Sequence, residues 1–212
     1  MSGASGAAAV DAPGALPALT APDVLDVVLD VREGDALDVV RRSRPVAREH
    51  TQAAFRALFD PRDAGGFSLG ERAAVASFVV ALHGETPLQA VYDAGLAAEH
   101  REVVAALAAA ARRPGPYGVF REPGLAAESD PGERWEVPGD AAAQLGPHLA
   151  AALTHASLLV LRPRESRPEA LAALLDAGWT REAVVTLSQL VAFLTFQVRI
   201  VAGLSVLKEA QP

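Results

Sequence analysis

A chain of 212 residues that is 50% hydrophobic and 21% charged can bury one sizeable core. Its net charge of −7 and pI near 5.2 exclude the basic footprint that a nucleic-acid partner requires. The absence of cysteine excludes disulfides, thiolate metal sites and cysteine nucleophiles. With aromatics at 5% and the apolar content dominated by alanine and leucine, closely packed helices are expected rather than a β-sandwich.

Residues 1–21, rich in proline and lacking a basic n-region, read as a disordered tail and not a secretory signal. A cytoplasmic protein is therefore expected, with one helical domain over residues 22–212. "APDVLDVVLDV" and "GDALDVVRRSR" predict two short helices parted by Gly34, and "RPVAREHTQAAFRALF" a third with Pro45 in its first turn. In "FSLGERAAVASFVVALHG", Ser68 and Glu71 have the S-x-x-E spacing of a capping box ahead of an apolar run. "TPLQAVYDAG" predicts a compact helix capped by Thr86, and "AAEHREVVAALAAAARR" one closed by Pro114. Residues 114–139, dense in proline and glycine, read as one long loop, a feature that in compact domains is functional or flexible. "DAAAQLGPHLAAALTHASLLVL" predicts one helix, and "RPRESRPEALAALLDAG" another with a second capping box at Ser166 and Glu169. Thr180 caps the last and longest helix. The pattern is all-α, with about eight helices and no alternating strands.

Two turns echo each other: Gly66-Phe67-Ser68 and Gly178-Trp179-Thr180 lie 112 residues apart, and each leads into a long apolar helix. Two uses of one helical hairpin explain them without a duplication.

The stretch "LSQLVAFLTFQVRIVAGL" is nearly long and apolar enough to cross a membrane, yet Gln189, Gln197 and Arg199 interrupt it. An arginine near the centre of a spanning helix costs about 2.5–3.5 kcal/mol, so the segment is expected to be a buried helix and no membrane partner is expected. On a helical wheel Leu187, Leu190, Val191, Leu194, Val198 and Val201 form one apolar stripe. Phe193, Phe196, Ile200 and Leu204 form a second, and Ser188, Thr195 and Arg199 share a narrow sector between them. A helix apolar nearly all round belongs at the centre of a fold or in a subunit interface, so a homo-oligomer is expected. Arg199 there needs a partner, either a carboxylate in a structural ion pair or an anionic ligand held by its guanidinium fork. The first is the expectation.

"DAGWTREAVVTLSQLVAFLTFQVRIVAGLSVL", with its Gln197-Val198-Arg199 step, resembles the second half of the AhpD-like, or carboxymuconolactone decarboxylase (CMD), superfamily. "FSLGERAAVASFVVALHGETPLQAVYDAGL" resembles that family's first half, and the likeness runs over roughly residues 22–207, including features of its peroxidase-related CMD-domain subgroup. The resemblance implies an AhpD-like helical domain, assembled as a homo-oligomer, with peroxidase or decarboxylase ancestry. Peroxidase members carry a glutamate, then C-x-x-C, then a histidine. Here Glu71 matches the glutamate, while His83, Thr86 and Ala90 stand at the remaining positions. Without a thiolate the dithiol chemistry of those members is excluded.

Two readings of the remaining groups stand side by side. Glu71 and His83 are the candidate acid–base pair, although Glu71 also suits the third position of a capping box and His83 a helix C-terminus. Arg199, Ser188, Thr195 and Tyr92 are the candidate ligand-binding groups, although a buried Tyr92 needs only one partner for its hydroxyl. His148 and His155 lie two turns apart on one helix, about 10 Å along its axis, too far for one metal. No metal and no cofactor is expected, since no nucleotide, zinc or hydrolase motif occurs. The chain is expected to bind a small organic molecule, a carboxylate for preference, with cofactor-free acid–base activity; the alternative is a non-catalytic oligomeric accessory protein.

Overall fold

Residues 69–82 set the architecture, because they are too small and too apolar to leave any face in water. The computed structural model describes residues 16–210. Within it, helix α4 (Leu69–Leu82) carries Ala73, Ala74, Val75, Ala76, Phe78, Val79 and Val80 at no exposure at all. The three preceding helices are α1 (Val24–Val28), α2 (Ala36–Arg42) and α3 (Pro45–Phe59); α5 (Leu88–Asp93) and α6 (Ala98–Ala111) follow α4. The second half contains α7 (Gly139–Leu145), α8 (Pro147–Leu161), α9 (Pro168–Asp176) and α10 (Arg181–Glu209). Around α4 pack α3, α5, α6, α8 and α10. Small side chains let these neighbours approach, and Phe55, Phe59, Phe67, Tyr92, Leu153 and Leu190 fill the space between them. The fold is all-α: the described residues contain no strand, only one antiparallel bridge between Gly118 and Asp130.

Local signals place most helix ends. Ser68 and Glu71 form the expected capping box, and Thr180 accepts from the Ala183 amide to start α10. Pro45 opens α3, and Gly34 separates α1 from α2 at a φ of 87°. Arg72, one turn into α4, is buried and donates to the carbonyls of Leu58, Ala64 and Phe67. It thereby ties the loop before the helix to the core, and burial lowers its pKa.

The structure departs from the expected elements in four places. The helix expected over residues 140–161 is two, because Gly146 takes φ 80° ahead of Pro147 and the chain turns there. Ser166 does not cap α9; Pro168 takes the first helical position, which makes Arg167 the cap residue. Thr86 sits one residue before the cap of α5, and its hydroxyl accepts from the Leu88 amide at 3.4 Å. Leu16 and Ala18, assigned to the tail, are buried in the core; the rest of that assignment, residues 1–15, lies outside the described residues.

α10 is not buried all round. Leu187, Leu190, Val191, Leu194 and Val201 face the core, whereas Phe196 is 43% and Val206 67% exposed. By length and composition this helix passes for a membrane span, and less than a third of its apolar stretch is buried within the fold, so the expectation of a buried helix holds for one side of it only. Its buried stripe packs on α4 and α8, and Gln197, fully buried, accepts a hydrogen bond from the Tyr92 hydroxyl.

The 114–139 loop is strapped down rather than loose. Buried Glu165 accepts from Arg162 Nε at 3.0 Å, from the Val119 amide at 2.9 Å and from Arg134 at 3.1 Å. Arg162 also lies over the Tyr117 ring at 4.8 Å. These donors, together with the Arg162 charge, hold the Glu165 carboxyl below the usual carboxylate range even though its burial acts the other way. Glu165→Gln strands the buried Arg162 charge, and we expect a loss of about 3 kcal/mol in urea unfolding. Arg134→Gln, on the exposed side of the cluster, should cost less than about 1 kcal/mol.

Candidate functional site

The two echoing turns meet in space. Phe67 and Trp179 pack ring to ring at 4.9 Å, which sets the starts of α4 and α10 beside each other. Fifteen residues on from the two caps, His83 Nε2 lies 3.3 Å from Thr195 Oγ1. The helices therefore run parallel in a register of 112 residues, the same offset that separates the turns.

This geometry divides the candidate acid–base residues. Glu71 opens α4 and His83 closes it, about 18 Å apart along the helix at the rise of 1.5 Å per residue. They cannot act on one atom. Both Glu71 oxygens are engaged: Oε2 accepts from the Ser68 amide and hydroxyl, and Oε1 lies 2.6 Å from His148 Nδ1. The His148 ring stacks on Trp179 at 4.3 Å, and the Trp179 indole donates to the His148 carbonyl at 3.0 Å. Glu71 is thus a structural cap joined to α8. Its partner lies 77 residues away, beyond the reach of any local spacing signal. Tyr92 is also removed from the ligand set. Its side chain is fully buried, its hydroxyl donates to Gln197, and burial pushes its pKa far up.

His83, Ser188, Thr195 and Arg199 do come together. Ser188, Thr195 and Arg199 line a groove of about 620 Å³ along the outer side of α10, with Phe196 and Ile200 from the same helix and Leu159 from α8. The expected buried ion pair at Arg199 is not formed: the side chain is exposed and has no carboxylate partner among the described residues. The physical reason is rotational. The stripe on Leu187, Leu190 and Leu194 faces the core, which turns the sector holding Thr195 and Arg199 outward. Ser188 gives its proton to the Val184 carbonyl at 3.0 Å, leaving its oxygen as an acceptor at the groove wall.

On its other side Arg199 borders a second hollow of about 320 Å³, floored by Leu25, Val40, Ile200 and Leu204. Arg41, Arg44 and Arg48 rim it. Arg41 binds Asp23 at 2.6 Å and Asp26 at 2.8 Å, and Arg48 joins the same two carboxylates. Burial and the neighbouring Asp23 raise the Asp26 pKa against the pull of both arginines. Arg44 and Arg199 are exposed and outside this network, so they supply the local excess of positive charge on an acidic chain. His83 is kept neutral, its pKa lowered by burial first and by the Arg199 charge second.

No protein family matches this chain, and neither a curated protein nor a solved structure shows detectable similarity to it.

The link between Arg199 and His83 has a direct test. Removing the positive charge in Arg199→Met favours the imidazolium, so the His83 pKa should rise toward its ordinary value of about 6.5. A histidine-selective NMR titration reads the shift, with His50 unmoved as the control.

Proposed function

We propose that this chain binds small amphipathic carboxylates in the groove along α10, as a cysteine-less relative of the AhpD-like proteins. One observation carries the reading: Arg199, a guanidinium without a carboxylate partner among the described residues, stands between two apolar hollows. A carboxylate takes both donors of the guanidinium fork, and an alkyl or aryl tail covers Phe196 and Ile200 or, on the other side, Val40 and Leu204. The all-α architecture and the parallel capped helices α4 and α10 support the family assignment. Any acid–base step on a bound carboxylate would run through His83 and Thr195, not through Glu71. The lowered pKa leaves the His83 imidazole unprotonated, a weak base with a nitrogen open to a proton, and Thr195 connects it to the groove wall.

Octanoate and 4-phenylbutyrate are suitable probes by isothermal calorimetry, with octanol and octylamine as controls. The carboxylates should bind and the controls should not. Arg199→Met should weaken binding roughly ten- to hundredfold, the worth of a charge-assisted hydrogen-bond pair. Its unfolding free energy should stay within about 0.5 kcal/mol of the parent, as for other exposed positions. Equal binding of octanol and octanoate would refute the anchor.

A second reading, an oligomeric protein without catalysis, is favoured by the outer face of α10. Val185, Phe196, Val206 and Leu207 are all exposed on that one helix. We infer a homo-oligomer in which a second copy covers part of this face. Light scattering should give at least a dimer at micromolar concentration, and Val206→Glu should shift it toward monomer. A monomer that co-sediments with phosphatidylcholine vesicles would instead assign the face to a membrane.

A further inference from the structure

A different cavity, independent of the α10 groove, lies where the strapped 114–139 loop meets α8 and α9. It measures about 540 Å³, within the range of small-molecule sites. Its walls include Trp135, Ala151, Leu158, Ala173 and Leu174, and Trp135 is held flat against Phe78 at 5.4 Å and 29°. His155 lines this cavity, is only 3% exposed, and has no hydrogen-bond partner at either ring nitrogen among the described residues. Leaving such a group unmet costs about 1–3 kcal/mol, so its retention beside Trp135, Ala151 and Leu158 in this wall points to a ligand.

The charges around the cavity cancel. Arg134 and Arg162 both pair with Glu165, and with Arg167, Glu136 and Glu169 the lining holds three cations and three anions. An anionic or cationic ligand would gain no net attraction there, in contrast to the arginine-rimmed hollows beside α10. A neutral imidazole offers one donor and one acceptor, and the group that meets either tautomer is one that both donates and accepts. We propose that this cavity binds an uncharged aromatic molecule bearing a hydroxyl or primary carboxamide, with its ring along Trp135 and its polar group on His155. Burial, which lowers the His155 pKa, keeps the imidazole in the neutral form that this contact requires.

The test uses the full chain labelled with ¹⁵N-histidine and titrated with phenol and benzamide, against toluene, benzoate and benzylamine. Phenol and benzamide should shift the His155 ring nitrogens saturably, and the other three should not. His155→Leu should lose benzamide binding by about tenfold or more while keeping or raising the melting temperature, since it removes an unmet polar group. Ala173→Trp, at an exposed position of α9 beside the cavity, narrows the mouth without touching the core. It should abolish the His155 shifts even if His155→Leu fails to fold. Benzoate shifting His155 as strongly as benzamide, shifts that persist in Ala173→Trp, or no response to either probe would each overturn the proposal.

Discussion

The burial of α4 on every side is the constraint from which the other placements follow. A helix without a solvated face must resolve its polar groups at its ends or against a neighbour, because unpaired groups inside a core are costly. Arg72 does so at the start with three carbonyls, Ser77 in the middle with Asp93 at 2.6 Å, and His83 at the end beside Thr195. The alanine-rich surface lets α10 lie alongside in parallel, and that alignment fixes which sector of α10 turns outward. The groove is thus a by-product of how α4 is enclosed. Its character comes from one residue, Arg199, placed where neither helix offers a counter-charge.

The polar groups of the two hollows and of the loop cavity are handled in opposite ways. Near α10, Asp23, Asp26 and Asp38 compensate Arg41, Arg42 and Arg48, while Arg44 and Arg199 stand in water. Near α8, Glu165 collects two arginines and a backbone amide, so charge is consumed in holding the 114–139 loop. The same residue types therefore serve attraction in one place and fastening in the other, and only the position of the carboxylates separates the two outcomes.

Signals confined to one turn of chain were legible in advance: the Ser68–Glu71 box, the Thr180 cap, Pro45 at a helix start and Gly34 between helices all sit as read. Errors arose where two local rules competed. At residues 166–169 the proline preference for the first helical position displaced the serine cap, and at 146–147 a glycine–proline pair outweighed continuous apolar periodicity. Site assignments failed for a different reason. The wheel of α10 displays two apolar stripes of similar quality, and nothing within the helix says which one α4 will cover, so Arg199 read as buried. The partners of Glu71 and Tyr92 lie 77 and 105 residues away, and His155 acquires its surroundings only when the 114–139 loop closes over α8. Contacts of that range leave no trace in spacing.

The buried bond between Tyr92 and Gln197 has a meaning apart from stability. Each step of one residue along an α-helix turns it by about 100°, so the apolar stripes alone would tolerate α10 rolled onto its second face. A single amide in the first stripe, matched to one phenol on α5, makes that rolled state pay for an orphaned polar group. Gln197 acts as a detent against rotation. Replacing it with leucine would suit the core by composition, yet it would let two orientations of the helix compete and present Arg199 to solvent in only one of them.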